Sequence, residues 1–229
     1  QNCSFPIAIC NTIMAAGMAH ISSLIEGGKS HRDAVAETYK ANRDVIFTGN
    51  GYSAEWKEEA KKRGLPNLNT TPMAIEKFNS DKAKAVFAEM GIFSNEECDS
   101  RVEVMYENYN TQLCIEVATM LKMVKCDIKP AVFKDMAKYW ANPKFNSETE
   151  PTWVVYQSIE KEASKLDAIF QKKPHVLKEE AYYLCDKVKP AMAALRTSVD
   201  ELESVMETGL YPYPTYEEML YSHHAFHHP

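Results

Sequence analysis

The stretch V-I-F-T-G-N-G-Y-S-A-E-W-K-E-E-A-K-K-R-G, Val45 to Gly64, sets two glycines around an asparagine ahead of a charged, helical-looking run. Glycine-rich loops that open helices can cradle phosphate through backbone N–H groups. A P-loop needs G-x-x-x-x-G-K-[ST], and no lysine follows the second glycine here. A dinucleotide loop needs G-x-G-x-x-G after a strand; Gly49 and Gly51 fit its start, but Ala54 stands at the third glycine and a helix precedes it. The simpler reading is a turn that uses glycine freedom, with Ser53 capping the next helix.

Other residues able to do chemistry are scattered. The histidines are His20, His31, His175 and a tail H-H-A-F-H-H from His223 to His228. Four tail imidazoles could chelate a divalent metal, but no acid or cysteine completes a site beside them. The expectation is a docked tail, held by a neighbour. His20 reads as a satisfied core residue. Glu96, Glu97, Asp99, Glu103, Glu107 and Glu116 fall on one predicted long helix. Glu116 lies nearest the apolar stripe, yet a solvated face or a structural ion pair explains these carboxylates better than a catalytic dyad. No Ser-His-Asp, Cys-His or H-E-x-x-H arrangement is present. The six cysteines (Cys3, Cys10, Cys98, Cys114, Cys126 and Cys185) include no C-x-x-C pair and match no zinc spacing. They read as reduced thiols on buried helix faces of a cytoplasmic protein.

The elements that must position these residues read as helices throughout, with no convincing strand. Ile7 to Ile25 is apolar almost all round between Pro6 and Gly27-Gly28, which predicts deep burial. Ser30 and Ser53 are N-cap candidates, the first for a helix to about Asp44 and the second for one ending at Gly64. A Pro-, Asn- and Thr-rich loop follows, Leu65 to Thr71, then short helices near Pro72–Phe78 and Ser80–Met90. From Val102 through Tyr106, Tyr109, Leu113, Val117, Met120, Val124, Ile128, Val132 and Met136 to Tyr139 runs one apolar stripe, ten steps over 37 residues with a mean of 3.7. That is a helix face of about 60 Å at 1.5 Å per residue, with a kink expected at Pro130. After a loop from Ala141 to Pro151, Val155, Ile159, Leu166 and Phe170 mark another helix. Leu177 to Met206 marks the last long one, with Pro190 inside it. Lys129–Ala131 and Lys189–Ala191 both read K-P-A, too short to count as a repeat. Helices with one apolar face each predict an all-α long hairpin or bundle.

The bulk properties bound the function. The chain has 229 residues, 25% charged and 45% hydrophobic, with a net charge of -6. The acidic balance argues against nucleic acid. No apolar run approaches the roughly 18 residues of a membrane span, and no signal peptide is visible. Starting at Gln1 rather than Met, the chain is expected to come from within a longer polypeptide.

Several stretches together resemble the type III glutamine synthetases. F-T-G-N-G-Y-S-A-E-W-K-E-E-A-K-K-R-G-L-P-N-L-N-T-T (Phe47 to Thr71) resembles a characteristic block of that family. G-I-F-S-N-E-E-C-D-S-R-V-E-V-M-Y-E-N-Y (Gly91 to Tyr109) resembles its next, with E-x-x-S-R and a helical tyrosine. I-E-V-A-T-M-L-K-M-V-K-C-D-I-K-P-A-V (Ile115 to Val132) is similar to a third. A-M-A-A-L-R-T-S-V-D-E-L-E (Ala191 to Glu203) and Y-P-Y-P-T-Y-E-E-M-L-Y (Tyr211 to Tyr221) resemble its C-terminal signature. The order matches the family's and covers almost the whole chain.

The resemblance implies ligation of ammonia to glutamate at the expense of ATP. It implies two or more divalent ions, Mg²⁺ or Mn²⁺, and homo-oligomers of two stacked hexameric rings. It also implies that metal- and ATP-binding residues precede the region matching Gln1. No catalytic, cofactor-binding or metal residue is therefore assigned to this chain, and the 229-residue chain alone is expected to be inactive. Residues 1–90 would be the helical end of an α+β catalytic domain, and 91–229 a type-specific helical region. The alternative is a non-catalytic scaffold derived from this family within a larger filament or cytoskeletal assembly. Neither reading involves nucleic acid or membrane. The tail and the insert around Trp140 to Trp153 lie outside the resemblance.

Overall fold

A computed structural model describes residues 3–140, 142 and 145–221. Among them every regular element is helical, as expected. The chain divides into two compact units, 1–105 and 106–229.

The first unit begins with α1 (Ser4–Glu26), α2 (His31–Ala41), a 3-10 turn (Arg43–Val45) and α3 (Ala54–Lys62). α4 (Thr71–Phe78), α5 (Asp81–Glu89) and the start of α6 (Asn95–Met123) complete it. The helix starts follow local chemistry. Ser30, Ser53 and Ser80 each accept a hydrogen bond from the backbone N–H three residues on, at 3.2, 3.3 and 3.4 Å. Ser94 and Glu97 form a reciprocal capping box at the start of α6, at 3.2 and 2.8 Å. Gly64 and Gly91 adopt φ of 70° and 66° just past α3 and α5, where a side chain would be strained. A chain of edge-to-face and tilted rings, Phe5–Phe78–Phe87–Phe93, knits α1, α4, α5 and the lead into α6 together.

Three expectations fail at α1. The helix is largely exposed: Thr12 is its sole buried residue, while Ile13, Met14 and Met18 are 62–68% exposed. All-round apolarity sets a preference for burial but does not supply a partner, and α2 and α5 cover only part of the helix. His20 is accordingly exposed, not a core residue. The span reading is also corrected. Polar Asn11, Thr12, His20 and Ser22 interrupt the apolar run, yet an 18-residue window of α1 averages a hydropathy of 1.4, enough by length and composition to cross a bilayer.

The second unit holds the remainder of α6, a π turn (Val124–Ile128), α7 (Lys129–Trp140) and α8 (Pro151–Phe170). These are followed by α9 (Leu177–Tyr183), a second π turn (Leu184–Val188), α10 (Lys189–Val205) and a short α11 (Tyr216–Tyr221). The apolar stripe read from the sequence faces inward: of the residues in this unit, Tyr106, Leu113, Val117, Val124, Ile128, Val132 and Met136 are buried, and Tyr109, Met120 and Tyr139 partly so. Ile159 and Leu166 of α8 meet Leu195 and Leu202 of α10, all four with no exposed surface. Burial of such a side chain contributes on the order of 2 kcal/mol. Thr152 donates to the Val205 carbonyl at 3.1 Å, tying the start of α8 to the end of α10.

The break expected at Pro130 takes the form of a π turn, and so does its counterpart at Pro190. In each turn the lysine before the proline donates its N–H to the carbonyl five residues back, Lys129 to Val124 and Lys189 to Leu184. The wider turn accommodates the missing proline N–H and relieves the clash with the carbonyl four residues back. The two K-P-A tripeptides thus follow the same local geometry. Of the cysteines, all free, Cys98 is buried, Cys114 and Cys185 are half-buried, and Cys3, Cys10 and Cys126 are exposed. The expectation of buried thiols therefore fails for three of them: Cys3 stands at the N-cap of α1, and Cys10 and Cys126 lie on exposed helical faces. The His223–His228 tail lies outside the described residues.

Candidate functional site

The Val45–Gly64 stretch is a self-contained packing unit. Asn50 accepts from the Tyr52 N–H through its side chain at 3.0 Å and from the Ser53 N–H through its carbonyl at 3.1 Å. The Trp56 N–H goes to the Ser53 hydroxyl. Three amides that a phosphate loop would offer are thus already engaged, so the turn reading holds. Phe47 stacks on Trp56 with ring centroids 4.1 Å apart. Gly49 passes so close that an added Cβ would lie 2.8 Å from the Phe47 ring. Arg63 closes the unit. Its guanidinium lies 5.6 Å from the Trp56 centroid, donates to the Ile46 carbonyl at 3.0 Å and pairs with Glu59 at 2.8 Å. The product is a rigid loop from which Tyr52 projects, 99% exposed.

The carboxylates singled out on α6 do not converge. Glu116 is exposed and accepts from Gln112 at 3.1 Å, Glu97 caps the helix, and Asp99 pairs with Lys84 at 2.6 Å. His31 and His175, like His20, are exposed. Among the described residues no group of three or more His, Cys, Asp or Glu side chains comes together as a metal site would require.

Sequence reasoning missed Asp135 and Glu180, the buried carboxylates among the described residues. Asp135 pairs with Lys138 at 2.7 Å. Lys138 also reaches Glu207, and the two partners hold its ammonium above the ordinary lysine range. Glu180 of α9 is ringed by donors. Lys173 and the Cys114 thiol, at 3.9 Å, reach its Oε1, and the Asn110 amide reaches Oε2 at 3.2 Å. Asn110 also donates to the Leu177 carbonyl at 3.0 Å, so both of its N–H groups point at acceptors and its orientation is fixed. Its Oδ1 is left without a protein partner, at a cost of about 1–3 kcal/mol. Burial pushes the Cys114 thiol up, and the Glu180 carboxylate holds Lys173 above its usual range. With both oxygens engaged, Glu180 is a clamp between α6 and α9, not a base. The signal was present: Glu180 lies three residues after Leu177 and beside Ala181, on the apolar face.

The motif-bearing stretches meet in space. Tyr213 donates to Asp127 at 2.7 Å. Arg196 donates to the Tyr216 hydroxyl at 2.6 Å, and Glu203 accepts from the Tyr216 N–H at 2.8 Å. The final tyrosine- and proline-rich stretch is thereby strapped across α6, the first π turn and α10.

A model of the glutamine synthetase C-terminal domain matches residues 32–143. A glutamine synthetase of Butyrivibrio fibrisolvens is 34% identical over 193 residues, covering 78% of this chain and 28% of that protein. The type-3 glutamine synthetase of Dictyostelium discoideum is 32% identical over 250 aligned positions, covering 96% of this chain and 34% of that protein. A glutamine synthetase of Bacteroides fragilis is 24% identical over 197 residues, covering 78% and 27%. The chain thus spans about a third or less of the length of these relatives. With five motif-bearing stretches in family order and a matching C-terminal domain, the chain belongs to the glutamine synthetase family, as a C-terminal portion of the type III kind.

Proposed function

We propose that this chain is the C-terminal portion of a type III glutamine synthetase, an enzyme joining ammonia to glutamate with ATP in the cytoplasm. In that reaction the γ-carboxylate of glutamate attacks the terminal phosphorus of ATP and releases ADP. Ammonia then attacks the acyl phosphate, gives up a proton and expels phosphate, leaving glutamine. Mg²⁺ or Mn²⁺ offsets the charge of the transferring phosphoryl group. The ligands for ATP and metal are assigned to the rest of the polypeptide. This portion supports the catalytic domain and a homo-oligomer, in which the exposed apolar face of α1 is covered. Residues 1–90 act as the end of the catalytic domain and 91–229 as the supporting helical region.

The observation that carries this reading is the run of motif-bearing stretches, in order, over nearly the whole chain, with a relative named a type-3 glutamine synthetase aligned over 96% of it. The test compares the full-length polypeptide carrying this segment with the 229-residue chain. Glutamine formation dependent on ATP, glutamate, ammonia and Mg²⁺ is expected from the first and not the second. A folded full-length polypeptide without that activity overturns the reading, and so does activity in the 229-residue chain alone.

A further inference from the structure

The strap formed by Tyr211–Tyr221 does not lie flat on the helices. Beneath it is a recess of 530 Å³, within the second unit. Met120 and Met123 of α6 form one wall, Met192 and Val199 of α10 the other, and Tyr211 and Met219 part of the roof. Val124 and Leu195, both buried, give a firm floor. Met219 is 52% exposed, so the roof is open to solvent on its outer side.

Three features define what would fit. The charged groups on the lining are Arg196 and Glu203, and both are already turned to the strap. Arg196 holds Asp200 and the Tyr216 hydroxyl, each at 2.6 Å, and Glu203 holds the Tyr216 N–H. Arg196 is neutralised by Asp200 and Glu203 is engaged by a backbone N–H, so neither is turned toward an ionic ligand. The volume lies within the roughly 300–1,000 Å³ of small-molecule sites and leaves no room for a helix about 10 Å across. The four thioethers are polarisable and adaptable, and suit aromatic rings.

We propose that this recess is a binding site for an uncharged, largely apolar small molecule of about the size of two or three fused rings. The strap, through Tyr211 and Met219, forms part of its roof. The proposal does not depend on synthetase activity.

The neutral fluorophore N-phenyl-1-naphthylamine, titrated into the full-length polypeptide, tests it. One saturable site per chain is expected. Ala193 lines the recess from an exposed position on α10, so Ala193→Trp fills the space without disturbing the core. It should weaken binding by about tenfold or more, a loss that one blocked pocket can produce. Glu201→Trp, on the same helix but off the lining, should leave binding unchanged. If Ala193→Trp fails to fold by circular dichroism, Met219→Trp fills the recess from the roof instead. Undiminished affinity in a folded filling variant overturns the proposal, as does the absence of a saturable site in wild type. Binding that appears only as the oligomer dissociates in light scattering would assign the recess to a neighbouring copy's side chain, and also overturns it.

Discussion

The Tyr213 hydroxyl lies 2.7 Å from the Asp127 carboxylate, 86 positions away in the chain. One partner stands on the strap and the other in a π turn, so this single hydrogen bond anchors the C-terminal stretch to the middle of a helix. Burial and then Asp127 hold the Tyr213 phenol above its ordinary range. Tyr213→Phe should cost about 1 kcal/mol, the net worth of such a bond at a partly exposed site, and denaturant unfolding measures it. The sign of the pH dependence follows from the raised value. The folded state holds the phenolic proton more tightly, so the contribution is complete below the unfolded tyrosine value near ~10 and declines as pH rises above it. A Tyr213→Phe variant should therefore lose less stability than wild type on going from pH 9 to pH 11. Equal losses would show that the bond carries no stability.

The Phe47–Trp56–Arg63 unit makes a local prediction. Arg63→Ala removes the donor to the Ile46 carbonyl, the partner of Glu59 and the cation over Trp56. The expected loss is about 1–2 kcal/mol for a charged hydrogen bond at a partly exposed site, confined to this loop. Amide exchange should accelerate at Tyr52, Ser53 and Trp56, while amides of α8 and α10 keep their protection. Uniform acceleration across the chain would contradict a self-contained unit. Gly49→Ala should perturb the same amides, because its Cβ would meet the Phe47 ring at 2.8 Å.

The Glu180 clamp separates a charged partner from a neutral one. Lys173→Met leaves a carboxylate with only 10% of its side chain exposed without its cation. Losing one partner of a buried pair costs about 3–5 kcal/mol, and partial exposure of Lys173 places this one at the low end. Glu180→Gln keeps the shape and one acceptor, and should cost less. Lys173 is raised by Glu180, so the pair's contribution is full below the unfolded lysine value near ~10.4 and falls as pH rises through the folded one. Thermal unfolding of both variants at pH 7 and pH 11 checks this, and an Lys173→Met loss smaller than that of Glu180→Gln would sink the clamp.

What was legible in the sequence follows from period and from local donors. The Met120–Val124–Ile128–Val132–Met136 run advances by four residues at every step. On a straight α-helix each such step drifts about 40°, given 3.6 residues per turn, so the stripe would wander off the core. The π turn at Val124–Ile128 absorbs the excess, and the mean spacing of 3.7 was its trace. Ser30 and Ser53 were legible as caps because a cap uses atoms only three residues away. The Glu180 cluster was not, because Asn110 and Glu180 lie 70 positions apart and nothing local marks the pairing. α1 shows the opposite limit. Its composition asks for burial, but burial needs a surface, and the described residues offer only part of one.

The π turn makes the sharpest stability prediction. Deleting Lys125, an exposed residue inside it, removes the extra residue, so the bond from the Lys129 N–H to the Val124 carbonyl becomes an ordinary α-helical one. Val132 and Met136, both fully buried, keep their register against α8. The cost is the clash of the Pro130 ring with the carbonyl four residues back, which the wider turn relieves, about 3 kcal/mol. Combining the Lys125 deletion with Pro130→Ala removes that clash and should recover most of the loss. Thermal and denaturant unfolding of the two variants decides the matter. A loss that Pro130→Ala leaves unchanged would mean that the π turn does something other than accommodate the proline, while recovery would mean that the extra residue is there for Pro130.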